Sequence, residues 1–120
     1  MQTQELSKYG PVIPVIVINQ IDEAVPMAEA LVEGGIKVLE VTLRSECALK
    51  AIELIATKVP SAIVGAGTLR TKADATNAKI SGSQFAVSPG YTSEMGEMCS
   101  QIDLPLLPGV STGSEVMKAK

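Results

Sequence analysis

The stretch "VLEVTLR", residues 38–44, has the pattern of a buried β-strand with an acid at its centre. Alternate side chains of a strand point to opposite faces, so one face carries only Leu39, Val41 and Leu43. The other face carries Glu40, followed by Thr42 and Arg44. A buried carboxylate costs free energy unless it is paired or put to use. What this second face meets therefore decides both the fold and the function.

Similar apolar runs recur roughly every 20 to 26 residues, the size of one βα unit, and a helical pattern follows each. They begin at Val12, Ile36, Ala62, Phe85 and Leu104. Strands this continuously apolar and β-branched are typical of a parallel sheet that is covered on both faces. The sequence therefore predicts an α/β fold, with residues 1–120 as a single domain.

The helices have start signals of their own. Asp22 is predicted to cap the first helix and Ser45 the second. The third and fourth helices are predicted over Thr71–Ser81 and Thr92–Gln101. The pattern "TGSE", residues 112–115, is a capping box that opens a fifth helix.

Two architectures fit this alternation: an open, doubly wound sheet of five strands, or the first four and a half units of a (β/α)8 TIM barrel. In an open sheet both faces of a central strand meet apolar helices, which leaves Glu40 without a partner. In a barrel the inner face leads to an active-site mouth at the carboxyl ends of the strands. Polar side chains do cluster at those ends: Glu40, Thr42, Arg44, Thr68, Ser88 and Ser111. We therefore favour the barrel, with the first and fifth strands as edges.

The composition excludes several classes of function. The chain has a net charge of −3, 2% aromatic residues, no His and no Trp, so a nucleic-acid partner is not expected. No apolar run reaches the roughly 18 residues of a membrane span, and the N-terminus lacks a signal-peptide pattern. Cys47 and Cys99 form no metal-binding motif and are expected to be reduced thiols. We expect a cytoplasmic protein without a metal, a cofactor or a membrane partner.

Glu40 and Arg44 give the sharpest chemical signal. An Arg at a strand end can hold a carboxylate through two parallel hydrogen bonds. A partly desolvated Glu deeper in the strand has a raised pKa and can shuttle protons. Four residues of strand span about 13 Å, which disfavours a direct pair between the two. A solvated loop role for Arg44 is the alternative.

Strand ends also repeat: "VTLR" (41–44) with "GTLR" (67–70), and "SPGYT" (88–92) with "LPGVST" (107–112). These repeats indicate a recurring strand-to-helix turn. Three glycines of this region are most simply interpreted as turn residues: Gly65, Gly90 and Gly109.

Together, "PVIPVIVI" (11–18), "LEVTLR" (39–44), "GAGT" (65–68), "FAVSPG" (85–90) and "LPLLPGVST" (104–112) resemble the bacterial 2-keto-3-deoxy-6-phosphogluconate (KDPG) aldolases, which also act on 2-keto-4-hydroxyglutarate (KHG). The resemblance covers nearly the whole chain. It implies a (β/α)8 barrel that assembles as a homotrimer, uses no metal, and acts in Entner–Doudoroff carbohydrate breakdown.

The resemblance also implies class I aldol cleavage. A lysine forms a Schiff base with the C2 ketone of a 2-keto acid, and cleavage gives pyruvate and glyceraldehyde 3-phosphate, or glyoxylate from KHG. Glu40 is then the general acid/base. Arg44 binds the pyruvoyl carboxylate, Thr68 lies against the same end of the substrate, and Pro89 and Gly90 shape the pocket wall.

One part of the family pattern is missing. The Schiff-base lysine of the family lies on the sixth strand, and its phosphate-binding glycine turns follow strands seven and eight. Neither segment is in these 120 residues, and Lys118 and Lys120 fall in the predicted fifth helix. We therefore expect the chain to be the N-terminal part of an aldolase and to be inactive by itself.

Two other interpretations stay open. One is a non-catalytic half-barrel that pairs with another chain, and the other is a different phosphate-using barrel enzyme, such as a lyase or isomerase. As an unclosed barrel, the 120-residue chain should associate, aggregate or fold poorly, because its edge strands expose apolar side chains. The side chains expected to be exposed are Val15, Val17, Leu104 and Leu106.

Overall fold

The computed structural model describes residues 2–120, in which five parallel strands alternate with five α-helices. The strands are β1 Val15–Ile16, β2 Val38–Thr42, β3 Ile63–Gly67, β4 Ala86–Ser88 and β5 Leu106–Pro108. The helices are α1 Ala24–Glu33, α2 Ala48–Lys58, α3 Lys72–Ile80, α4 Ser93–Gln101 and α5 Gly113–Ala119. A 3-10 helix, Thr3–Tyr9, precedes β1, and a 3-10 turn, Ile21–Glu23, leads into α1.

The strands lie in the sheet in sequence order, β1-β2-β3-β4-β5, and every neighbouring pair is parallel. A doubly wound sheet reverses its winding at a switch point, and this sheet has no reversal. The open doubly wound alternative is therefore wrong. A sheet wound in one direction, with β1 and β5 as its edges, is the arrangement predicted from the barrel.

The outer face of the sheet carries the main hydrophobic core. Strand side chains of one parity pack there against the helices: Leu39, Val41, Val64, Ala66 and Ala86. The helices supply mainly small and branched side chains to the same core: Ala28, Ala51, Ile52, Ile55, Ala75 and Ala78. Right-handed crossovers between neighbouring parallel strands are expected to bring the connecting helices to one face, and α1 to α4 do pack on this one.

The inner face is packed at the amino-terminal end of the strands. Leu6, from the first 3-10 helix, packs there with Val38, Ile63 and Phe85, and all four are buried. The Phe85 ring lies directly over Gly65, where a Cβ atom would come within 2.5 and 2.6 Å of ring carbons. The prediction that Gly65 is a turn residue is therefore wrong, because this glycine lies inside β3 and makes room for Phe85.

The predicted caps of the first two helices are also wrong. Asp22 lies within the 3-10 turn, and no side chain caps α1. Helix α2 begins after Cys47, and the Ser45 hydroxyl makes no capping bond to it. The Cys47 thiol instead donates a hydrogen bond to the carbonyl of Ile18, 3.1 Å away, which ties the start of α2 to the end of the first strand segment.

The cap of the fifth helix is confirmed in part. The Thr112 hydroxyl accepts a hydrogen bond from the Glu115 N–H, but the Glu115 carboxylate accepts from the Ser111 N–H and not from Thr112. A complete capping box occurs at α3, where Thr71 and Asp74 bond reciprocally. The Ala-rich sequence that follows is thereby given a fixed helix start.

The edge strands match the prediction only at β1. Val15 is 62% exposed and Val17 is exposed beside it. Leu104 is only 3% exposed and Leu106 is half-buried, because both face the helices. Association of the 120-residue chain stays a prediction. Within residues 2–120, no helix has the combined length and apolarity needed to span a membrane.

The close contact between β3 and Phe85 gives a stability prediction. Gly65→Ala should lower the free energy of unfolding by about 1–3 kcal/mol, since the added methyl group overlaps the buried ring. Phe85→Leu in the Gly65→Ala background should restore part of that loss. Gly90→Ala is the matched control, because a Cβ at Gly90 meets nothing within 4 Å. Urea denaturation of the variants measures these differences. Equal stability of Gly65→Ala and Gly90→Ala would contradict the prediction.

Candidate active site

Four of the five predicted site residues meet in one cavity of about 420 Å³. It lies at the carboxyl ends of the strands, and its wall is formed by Val15, Glu40, Arg44, Thr68, Arg70, Val87, Ser88 and Pro89. Gly90 is not on this wall. It lines a neighbouring depression with Leu69 and Tyr91, one residue farther along the turn that follows β4.

Glu40 projects from the middle of β2 onto the inner face and is 8% exposed. In register it lies between Val15 of β1 and Gly65 of β3. A Cβ atom on Gly67 would overlap the Glu40 carboxylate, so the side chain lies directly against the backbone of β3. Gly65 and Gly67 leave the inner side of β3 without side chains after Ile63, so Gly65 makes room for Phe85 and Gly67 makes room for Glu40.

The environment of Glu40 favours its protonated form. Burial raises the pKa of the Glu40 carboxyl above its usual value, and the positive charge of Arg44 partly offsets this. The two ion pairs within residues 2–120 join other side chains, so Arg44 acts on Glu40 through its charge and not through a direct ion pair. A carboxyl group with a raised pKa holds its proton more readily than an exposed one, which suits it to donate as well as accept protons.

Thr68 adopts a backbone conformation that is unusual for a β-branched residue. Its φ is 65°, in the left-handed region, where strain of roughly 1–3 kcal/mol is expected. The chain is held on both sides of it. Gly67 accepts a hydrogen bond from the Leu43 N–H, and the Leu69 N–H donates to Val87. The surrounding sheet thus fixes Thr68 on the cavity wall, where such outliers are often found at ligand sites.

Arg70 lines the same cavity, and the sequence interpretation assigned it no role. The sequence did contain a pattern that pointed to Arg70, because "GTLR", which ends in Arg70, repeats the "VTLR" that ends in Arg44. Ser88 was noted only as a polar strand end. Its hydroxyl donates a hydrogen bond of 2.8 Å to the Gly90 carbonyl, which shapes the turn after β4.

No lysine of residues 2–120 lines the cavity. Lys118 is exposed within α5, and Lys120 follows that helix. Over the same residues, no group of three or more acidic or cysteine side chains is placed to hold a metal ion. The cavity thus carries an acid, two guanidinium groups and two hydroxyls, a set suited to an anionic, oxygen-rich small molecule.

Residues 3–120 match the family model described as KDPG and KHG aldolase. The 2-dehydro-3-deoxy-phosphogluconate aldolase of Dickeya dadantii (strain 3937) is 52% identical over 114 residues, which are 95% of this chain and 54% of that protein. The KHG/KDPG aldolase of Escherichia coli (strain K12) is 53% identical over 108 residues, 90% of this chain and 51% of that protein. The chain spans about half the length of these curated relatives.

Solved structures give the same match. The KDPG aldolase of Zymomonas mobilis ZM4 with 3-phosphoglycerate has a TM-score of 0.91 at 45% identity, covering 96% of this chain and 55% of that one. The KDPG aldolase of Legionella pneumophila, with pyruvate captured as a covalent carbinolamine, has a TM-score of 0.88 at 46% identity, covering 92% and 54%. The barrel prediction is confirmed, since these enzymes have a TIM-barrel-like fold. The chain belongs to the family of KDPG and KHG aldolases.

Proposed function

We propose that the protein to which these residues contribute is a class I aldolase that cleaves KDPG to pyruvate and glyceraldehyde 3-phosphate. Cleavage of KHG to pyruvate and glyoxylate is proposed as a second reaction. The observation that carries the proposal is the buried Glu40, with its raised pKa, in one cavity with Arg44. We further propose a cytoplasmic homotrimer that acts in Entner–Doudoroff carbohydrate breakdown.

In this proposal a lysine from outside residues 1–120 attacks the C2 ketone, and Glu40 donates the proton that lets the carbinolamine lose water. The Glu40 carboxylate then takes the proton of the C4 hydroxyl. The C3–C4 bond breaks, its electron pair enters the iminium as an enamine, and the aldehyde leaves. Glu40 returns the proton to C3, and water releases pyruvate from the lysine.

The other cavity residues have binding roles in the proposal. Arg44 holds the carboxylate at the pyruvoyl end through a two-pronged pair. Thr68 contacts the same end from its fixed backbone position. Pro89 forms part of the wall, and Gly90 acts beside it through the turn that Ser88 holds. The alternative, a non-catalytic half-barrel that pairs with another chain, predicts no turnover from any chain that contains these residues.

A hybrid enzyme distinguishes the proposed aldolase from the non-catalytic half-barrel. Residues 1–120 are joined to the part of the Dickeya dadantii relative that follows its matched half, and the native relative is the activity control. The hybrid should cleave KDPG and should be trapped by borohydride with pyruvate, with the adduct located by mass spectrometry. The 120-residue chain alone should do neither. A pyruvate adduct on Lys118 or Lys120 would contradict the proposal that the nucleophile lies elsewhere.

Glu40→Gln in the hybrid should slow turnover by about 10²-fold or more, a usual loss for a proton shuttle. Glutamine keeps the size of the side chain, so the fold and some Schiff-base formation should remain. Steady-state cleavage and borohydride trapping with pyruvate measure the two effects separately. If the Glu40→Gln hybrid turned over KDPG as fast as the parent hybrid, the role of Glu40 as proton shuttle would be contradicted.

Glu40 should also make stability depend on pH. Because the folded state raises the pKa of Glu40 above 4.5, the unfolded chain ionises first as the pH rises, and the parent loses stability. The Glu40→Gln variant has no such loss. Its advantage in free energy of unfolding should therefore grow from pH 4 to pH 7, as measured by urea denaturation. Glu29→Gln, at an exposed surface position, controls for the loss of one negative charge, and equal pH profiles would contradict the prediction.

Arg44→Lys keeps the positive charge of the clamp and loses its two-pronged geometry. In the hybrid, the loss of one charged hydrogen bond, about 1.5–3 kcal/mol, should weaken pyruvate binding by about 10- to 150-fold. The pyruvate concentration that half-saturates borohydride trapping is the measurement. An unchanged value would count against Arg44 as the carboxylate clamp.

A further inference from the structure

The cavity that contains Glu40 carries two guanidinium groups. Arg44 and Arg70 both line it, and both also line an adjoining depression of about 350 Å³ with Thr68 and Asp74. Glu40 is the one acidic side chain among the described residues of the cavity wall. The guanidinium groups on the wall therefore outnumber its acidic groups, and each of the two can hold a carboxylate of the ligand.

The Arg70 guanidinium has no acidic partner among residues 2–120, since neither ion pair includes it. Asp74 shares the adjoining depression, but it forms no ion pair with the Arg70 guanidinium. Its Oδ2 atom instead accepts hydrogen bonds from the backbone N–H groups of Arg70, at 2.9 Å, and Thr71, at 3.2 Å. The side chain of Arg70 is thus available to an anion that enters the cavity.

The backbone of Arg70 is fixed on both sides. The preceding residue, Leu69, is 1% exposed in the core and donates its N–H to Val87. The following residue, Thr71, is the N-cap of α3. The fixed backbone keeps the starting point of the Arg70 side chain at the rim of the cavity, within reach of a ligand bound there.

The cavity that Arg44 and Arg70 share limits the ligand. The two residues follow the neighbouring strands β2 and β3, and both line the same cavity wall. The two carboxyl carbons of a five-carbon dicarboxylate such as KHG are joined by only four bonds of about 1.5 Å each. The phosphorus atom of KDPG is three atoms farther along its chain, beyond C6 and its ester oxygen. Two guanidinium groups on one cavity wall therefore suit two carboxylates that are close together better than a carboxylate and a more distant phosphate.

We propose that Arg70 is a specificity-determining residue that binds the distal carboxylate of KHG, the group that leaves in glyoxylate, while Arg44 binds the C1 carboxylate. The inference rests on the proposed function and adds a substrate preference to it. It assigns the two repeated strand ends, "VTLR" and "GTLR", to the two ends of one dicarboxylate substrate.

The test uses the hybrid enzyme with purified KHG and KDPG. Arg70→Gln removes the charge at similar length and should lower the ratio of kcat/KM for KHG over KDPG by about 10-fold, the loss of one charge-assisted hydrogen bond. Arg70→Lys should recover part of the ratio. Lys72→Gln is the matched control, because Lys72 is a nearby cation that pairs with Glu94 at 3.5 Å and is not on the cavity wall. It should leave the ratio unchanged.

Three results would overturn the inference. The ratio for Arg70→Gln could stay at the parent value, or the larger loss could fall on KDPG, which would assign Arg70 to the phosphate. Equal losses on both substrates, with weaker trapping of pyruvate, would place Arg70 at the C1 carboxylate beside Arg44. An inactive parent hybrid is a separate result, because it contradicts the proposed function before any Arg70 variant is made.

Discussion

The close approach of the Glu40 carboxylate to the bare backbone at Gly67 is the constraint on which the rest of the site depends. It requires β2 and β3 to be neighbours in the observed register, and it requires β3 to have glycine at the inward-facing positions 65 and 67. It also removes the carboxyl group from water without supplying an ion pair, which is why its pKa rises. The sheet order, the glycines and the acid–base chemistry are therefore parts of one arrangement.

The same arrangement explains the division of the sheet into two faces. The outer face gains its stability from apolar burial against helices, so it needs nothing from the inner face. The inner face is packed only at its amino-terminal end, by Leu6 and its three neighbours. The carboxyl ends are left to carry polar groups, and the strain at Thr68 is held there by hydrogen bonds from both adjoining strands. Stability and chemistry thus occupy different ends of the same strands.

Much of this could be predicted from the sequence. Period-two alternation in residues 38–44 placed Glu40 on the face opposite the core, and the repeated βα spacing predicted a parallel sheet. The function of Gly65 and Gly67 could not be predicted, because it depends on side chains of other strands, Phe85 and Glu40. Leu104 was misplaced, since the strand it precedes is apolar on both faces and its alternation gives no orientation.

The packed layer of Leu6, Val38, Ile63 and Phe85 has a consequence for the passage of molecules through the site. Along β2, β3 and β4 these apolar side chains fill the amino-terminal end of the inner face, so the cavity beside Glu40 does not continue to that end of the strands. A molecule bound beside Glu40 would therefore come and go past the segments that follow the strands. Substitutions in those segments, and not in the packed layer, would change the width of its path.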